Sequence, residues 1–225
     1  TCLDQALSCT LKSLELKPDN PIAHMNLGRI YQLHGKLDQA LTSTFKSLEL
    51  KPDDPTAHMN LGSIYKELGN PDQALMSTLK SLELKPDNPD ALINLGGTYK
   101  DLGKPEQALT STLKSLELKP DNPDALINLG ETYKDLERIE DSKTAFNQAL
   151  RVTTKDTKDL TTILNFYDSL NEEELLKEAI FYLKSALPIS SLRVEMYEAR
   201  VLYRRKEYKE SWEKLPTLDS ASKGL

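Results

Sequence analysis

Cysteine is almost missing: Cys2 and Cys9 are the whole supply in 225 residues. They stand seven apart on one expected helix, a spacing that disulfide geometry does not bridge, and are expected as small buried or half-buried thiols. Such sparing use fits a reducing compartment and favours the cytoplasm, while leaving the compartment itself open. No apolar run approaches bilayer length and no signal peptide is visible, so nothing points to membrane insertion. Both ends read as cuts from a longer protein, because Thr1 falls inside a repeat of which only the back half is present.

Concentrated positive charge is also lacking. The net charge is −6 with both signs well mixed, the opposite of the Lys- and Arg-rich surface a nucleic-acid binder needs. The one basic cluster, Arg204, Arg205 and Lys206, is followed by Glu207 and Glu210 and reads as a solvated helix end. Cys-x-x-Cys, His-Glu-x-x-His and glycine-rich phosphate loops are all missing. His24 and His58 hold equivalent places in neighbouring repeats, on the side expected to pack. Helix axes about 8–10 Å apart put them too far from one another to share a metal without further ligands. His34 lies next to a turn and is expected in solvent. No segment sustains the period-two alternation of a strand. No catalytic residue, metal site or cofactor is expected.

What the chain has is a period. Pro18, Pro52, Pro86 and Pro120 fall every 34 residues, and a fixed period of this length means stacked supersecondary units rather than one globular core. Residues 1–16 supply the second helix of a truncated unit. Complete units are expected at 21–54, 55–88, 89–122 and 123–156. Each opens on a proline suited to a first helical turn. Gly35, Gly69 and Gly103 occupy the fifteenth position, where a first helix must stop. The second helix ends in LELKP, whose proline forbids continuation. Beyond Arg151 the pattern decays into two degenerate hairpins, at 160–191 (Ala179, Leu183, Ala186) and 192–215, the latter packed by Tyr203, Tyr208 and Trp212. A tail follows at 216–225. The fold class is all-α.

Leu27, Gly28, Tyr31, Ala40 and Pro52, repeated 34 and 68 residues later, resemble the tetratricopeptide repeat (TPR). The fourth unit keeps Leu129, Gly130 and Tyr133 but has Ser142, Thr154 and Glu137 where alanine, proline and the turn glycine belong. Position four holds His24, His58, Leu92 and Leu126 instead of the family's frequent tryptophan. The resemblance covers roughly residues 1–156. It implies a right-handed superhelix of antiparallel helix hairpins whose first helices line the concave side.

Rotating each residue by about 100° sorts a first helix into a packing arc and an opposite arc of positions two, five, six, nine, twelve and thirteen. That opposite arc carries three rows: Met25, Met59, Ile93 and Ile127; Asn26, Asn60, Asn94 and Asn128; and Lys66, Lys100 and Lys134, with Arg29 beside them. Long apolar side chains on a solvent-facing arc are unusual and hint at a covering partner. A row of amides donates and accepts at once, as an extended peptide backbone requires. This is similar to TPR arrays such as that of O-GlcNAc transferase, where groove asparagines hold peptide main chain. The alternative role for the same asparagines is a bond to the next unit's backbone. Four such positions at about 0.5–1.5 kcal/mol each correspond to dissociation constants no better than tens of micromolar, so selective binding needs the apolar row and the charges too. The carboxylate clamp of other family members, Lys and Asn at positions five and nine, is absent: Met25/Arg29, Met59/Ser63, Ile93/Gly97 and Ile127/Glu131 stand there.

An active site needs a unique convergence of dissimilar groups. Residues 77–102 and 111–136 instead repeat with one change, Gly97 against Glu131. The expectation is a non-enzymatic scaffold that binds a protein or peptide partner as an extended segment. Two alternatives remain. One is an arm of a larger bacterial enzyme of glycosyltransferase or sulfotransferase type; the other is self-association through exposed terminal helices.

Overall fold

The computed structural model describes residues 2–152, 157–170 and 180–181. Among the described residues there are ten helices and no strand: α1 (Cys2–Leu16), α2 (Pro21–Leu33), α3 (Leu37–Leu50), α4 (Pro55–Glu67), α5 (Pro71–Leu84), α6 (Pro89–Asp101), α7 (Pro105–Leu118), α8 (Pro123–Asp135), α9 (Ile139–Val152) and α10 (Thr157–Leu170). The fold is the all-α hairpin solenoid expected from the period. α10 overlaps the start of the 160–191 segment. The rest of that hairpin apart from 180–181, the 192–215 hairpin with its basic cluster and aromatic residues, and the tail lie outside the described residues.

Local chemistry sets the helix boundaries. Before each first helix the cap side chain accepts from the free amides of the first turn: Asn20 Oδ1 from Ile22 and Ala23, Asp54 Oδ1 from Thr56 and Ala57, Asn88 Oδ1 from Ala91, Asn122 Oδ1 from Ala125. Proline follows at the first helical position, where its missing N–H costs nothing. The first helices end on Gly35, Gly69 and Gly103, with φ of 69°, 72° and 66°, the left-handed region open to glycine. In the fourth unit Glu137 adopts the same conformation, φ 59°. The turn survives loss of its glycine, at a backbone cost.

Two compact units divide the chain. One comprises residues 1–120 with 131–139; the other comprises 121–130 with 140–225. In the first unit each hairpin (α2–α3, α4–α5, α6–α7) packs its two helices together, and the second helix of one hairpin packs on the first helix of the next. First helices also touch one another, α2 with α4 and α4 with α6, whereas α3, α5 and α7 make no comparable mutual contact. This unit therefore bends with its first helices on the inner side.

The hairpin interiors are unusually polar. Gly28, Gly62 and Gly96 let the second helix approach so closely that a Cβ there would collide with Thr44, Thr78 and Thr112. Ser47, Ser81 and Ser115 donate from the second helix to the carbonyls of Pro21, Pro55 and Pro89 at 2.8, 2.7 and 2.9 Å. In the second unit the corresponding glycine, Gly130, lies under the ring of Phe146. Phe146 packs against Phe166 of α10 with ring centroids 4.5 Å apart.

Three expectations require correction. Cys2 and Cys9 are exposed, not buried, because α1 buries no residue along its length. His34 is half-buried rather than fully in solvent: its Nε2 is shut away without a hydrogen-bond partner, 3.9 Å from Asp4 of α1. The helix that precedes the repeat covers the turn. His24 and His58 are half-buried rather than sealed in the packing arc. Each Nε2 lies 2.8 Å from a carbonyl in the preceding loop, Pro18 and Pro52 respectively, so the N–H donates and latches one repeat to the loop before it.

Candidate functional site

The inner side of the first unit is built by α2, α4 and α6. Because the repeat fixes helical phase, residues 34 apart stand at the same height and angle on successive first helices. Met25, Met59 and Ile93 are half-buried, a state between core and open surface. Met59 is partly engaged, since the amide of Asn88 lies 3.8 Å from its sulfur.

The asparagine row is more informative. Asn26 is exposed and Asn94 half-buried, while Asn60, in the middle, retains 7% of its surface. None of these three side chains hydrogen-bonds within the chain, so none serves the next repeat's backbone. Asn94 contributes only its main-chain carbonyl, which accepts from Thr98 Oγ1. The Asn60 amide atoms are not among those sealed from solvent without a partner, so the little surface the residue keeps includes its polar end, which is free to bond to something outside the chain.

The charged part of the arc is largely committed to the fold. Arg29 Nη1 donates to Gln32 Oε1 at 3.0 Å. Gln32, itself buried, donates to Ser63 Oγ at 2.8 Å and to Glu67 Oε1 at 2.6 Å on α4. One repeat on, Lys66 approaches Asp101 of α6 at 4.0 Å. One further on, Lys100 pairs with Glu131 on α8. Position twelve on α2, α4 and α6 thus reaches position nine, position thirteen or both of the next repeat. Arg29 and Lys100, expected as ligand contacts, are engaged inside the chain. Sequence reading placed Gln32, Ser63, Glu67, Asp101 and Glu131 on the arc but missed their pairing. The signal was there as complementary polar groups offset by 31 and 35 residues.

In the second unit, Ile127 is buried with 7% of its surface left, so the apolar row is not open at that residue. Asn128 is half-buried and already has a partner in the chain. Lys134, on the part of α8 belonging to the first unit, is exposed. The arrangement can therefore present main-chain-competent amides and partly covered apolar groups at regular spacing on α2, α4 and α6. Among the described residues no three His, Cys, Asp or Glu side chains converge as a metal site. None of the described helices is long and apolar enough to cross a membrane.

Comparison with known proteins accords with this geometry. Family models described as TPR repeat or tetratricopeptide repeat match residues 96–137, 9–42 and 78–110, and 55–88 and 123–156, more than half of the chain together. No curated protein sequence matches. Among solved structures, pilF of Pseudomonas aeruginosa is similar at 20% identity, TM-score 0.70, over 85% of this chain and 86% of that one. PilW, a widely conserved type IV pilus biogenesis factor, gives 24% identity and TM-score 0.71 over 84% and 88%. A chain of the APC/C hetero-tetramer Cut9–Hcn1 gives 21% identity and TM-score 0.76, over 89% of this chain but 40% of that longer one. At these identities the likeness fixes the fold alone.

Proposed function

The chain belongs to the tetratricopeptide-repeat family, a fold typical of protein-interaction scaffolds, and on that premise we propose that its inner face receives an extended segment of a partner protein. The observation that carries this reading is Asn60: an amide with 7% of its surface left and no hydrogen bond inside the chain, flanked at equivalent positions by Asn26 and Asn94. A peptide main chain running across α2, α4 and α6 supplies the donor and acceptor that this amide lacks. Met25, Met59 and Ile93 lie one residue before these amides and add apolar contact for side chains of the segment. The same asparagine role is what the likeness to the O-GlcNAc transferase array implies. The scaffold does no chemistry of its own in this reading, because its surface repeats rather than converges.

A displayed library of random linear peptides tests the reading. The native chain is expected to enrich a family of peptides. Asn26→Ala/Asn60→Ala/Asn94→Ala, checked for retained helicity, is expected to bind them about tenfold or more weakly, the loss of two or more hydrogen bonds. Undiminished binding by that variant overturns the groove.

A further inference from the structure

The joints between successive first helices differ at one position, and the difference leaves a cation without its repeat-derived partner. At the α2–α4 joint the position-twelve side chain is neutral Gln32, and position nine of the next repeat supplies a neutral hydroxyl, Ser63, at 2.8 Å. At the joint between α6 and Glu131 of α8 the position-twelve side chain is cationic Lys100, and position nine supplies the Glu131 carboxylate. At the α4–α6 joint position twelve is again cationic, Lys66, but position nine is Gly97. Here the Lys66 ammonium has folded into the volume that a side chain on Gly97 would fill. Its remaining anionic neighbour, Asp101, stands at 4.0 Å, beyond hydrogen-bond reach. Lys66 keeps 36% of its side-chain surface, against 17% for Lys100 under its glutamate.

We propose that Lys66 and the helix surface at Gly97 form a subsite for an aspartate or glutamate side chain of the bound segment, in the place that the Glu131 carboxylate occupies one repeat later. The inference rests on the reading of this face as a peptide receiver and adds the chemistry of one residue of the partner. The ammonium has three N–H donors to offer. A short ligand carboxylate meets Lys66 first above Gly97, because the three nearest atoms over that glycine all belong to the flexible end of the lysine. Asp101 shares the cation, and the pair is partly exposed, so the acid contributes selectivity rather than most of the affinity. The protein's net charge of −6 opposes acidic ligands at long range, which makes this a local preference.

Peptides enriched by the library, synthesised with amidated C-termini so that only side-chain carboxylates remain, give the first arm. Replacing their Asp or Glu by Asn or Gln is expected to weaken binding to the native chain about two- to fivefold. That preference disappears in Lys66→Met and in Gly97→Glu, whose own carboxylate takes the place. The second arm needs no ligand. Gly97→Glu is expected to melt about 1–3 °C above Gly97→Gln, a difference that vanishes when both are made in Lys66→Met. Equal melting of the two in the Lys66 background overturns the subsite, as does an acid preference that is absent or survives both variants. Enrichment without acid preference sinks this inference alone. Failure to enrich any peptide sinks the groove reading and takes this one with it.

Discussion

The hairpins α4–α5 and α8–α9 share a length, a period and a glycine at position eight, yet they close over that glycine in different ways. In α4–α5 the neighbour is Thr78, whose Oγ1 is buried without a hydrogen bond, with Ala74 beside it. In α8–α9 the same two places hold Phe146 and Ser142. The Phe146 ring covers Gly130, and Ser142 Oγ donates to the Gly130 carbonyl at 2.7 Å. A small-residue contact lets identical repeats stack indefinitely, because nothing in it is specific to its place. The aromatic version is tied to one neighbour, since Phe166 of α10 packs against Phe146, and Tyr167 donates to Asn147 Oδ1 at 2.7 Å. The repeat thus propagates through α2–α7 by small contacts and changes chemistry where it meets α10.

The largest test of this contrast is Phe146→Ala. Phe146 is among the most buried large side chains, and truncation of a buried phenylalanine costs about 3–5 kcal/mol. Hydrogen exchange is the suitable measurement, because repeat arrays open locally rather than all at once. Protection is expected to collapse in α8–α10 and to persist in α2–α5. Uniform loss along the chain would show that the two regions are one cooperative block.

Gly62→Ala probes the other closure. Its added Cβ meets the Thr78 hydroxyl and stands 3.2 Å from the Ala74 carbonyl, a backbone atom that cannot rotate away. Overpacking of about 1–3 kcal/mol then outweighs the roughly 1 kcal/mol gained in helix propensity. A fall in the urea midpoint of the α2–α7 region is expected; a rise would mean that α4 and α5 are not closely apposed.

How much of this could be read from residue order follows from where each signal resides. Helix starts and stops are local chemistry: the proline after Asn20 or Asp54, the glycine at 35, 69 or 103. They are legible in one pass, and the period multiplies them. Burial is not local. Cys2, Cys9 and His34 were misplaced because their surroundings depend on whether another helix lies across α1 or the turn. The polar hairpin interior was hidden for a related reason. Ser47, Ser81 and Ser115 look like surface hydroxyls until the carbonyl of a proline 26 residues earlier comes within reach. At the candidate face the identities of Asn26, Asn60 and Asn94 were legible, but the near-complete burial of Asn60 was not. Nor was the capture of Lys100 by Glu131, which depends on the offset between neighbouring helices, or that of Arg29 by Gln32 one turn along α2.

The turns give a smaller contrast. Gly69 and Glu137 share a left-handed backbone, φ 72° and 59°, a conformation that costs a side-chain-bearing residue about 1–2 kcal/mol. Glu137→Gly is expected to stabilise the α8–α9 hairpin by somewhat less than that, because glycine also gains freedom in the unfolded chain. Gly69→Ala is expected to destabilise α4–α5 by about 1 kcal/mol. The two variants should move local exchange protection in opposite directions. Movement in the same direction would mean that the turn backbone relaxes away from positive φ.

The smallest contrast separates two caps of the same geometry. Asp54 caps α4 where Asn20, Asn88 and Asn122 cap the other first helices, and only the aspartate titrates. Burial works to raise its carboxyl. The hydrogen bond from Lys51 at 2.8 Å and those from the Ala57 and Thr56 amides together outweigh burial and hold it below the usual carboxylate range. A folded-state value below the unfolded one of about 3.9 means that the stabilisation is complete above that value and fades as pH falls through the folded one. Asp54→Asn keeps an oxygen for the Thr56 and Ala57 amides but gives up the charge. At neutral pH it is expected to cost less than the roughly 1 kcal/mol lost with Asp54→Ala. Comparing α4 protection at pH 6 and below pH 4, native and Asp54→Asn chains should converge in acid. A gap that widens on acidification would mean that the carboxylate opposes the cap it is drawn as making.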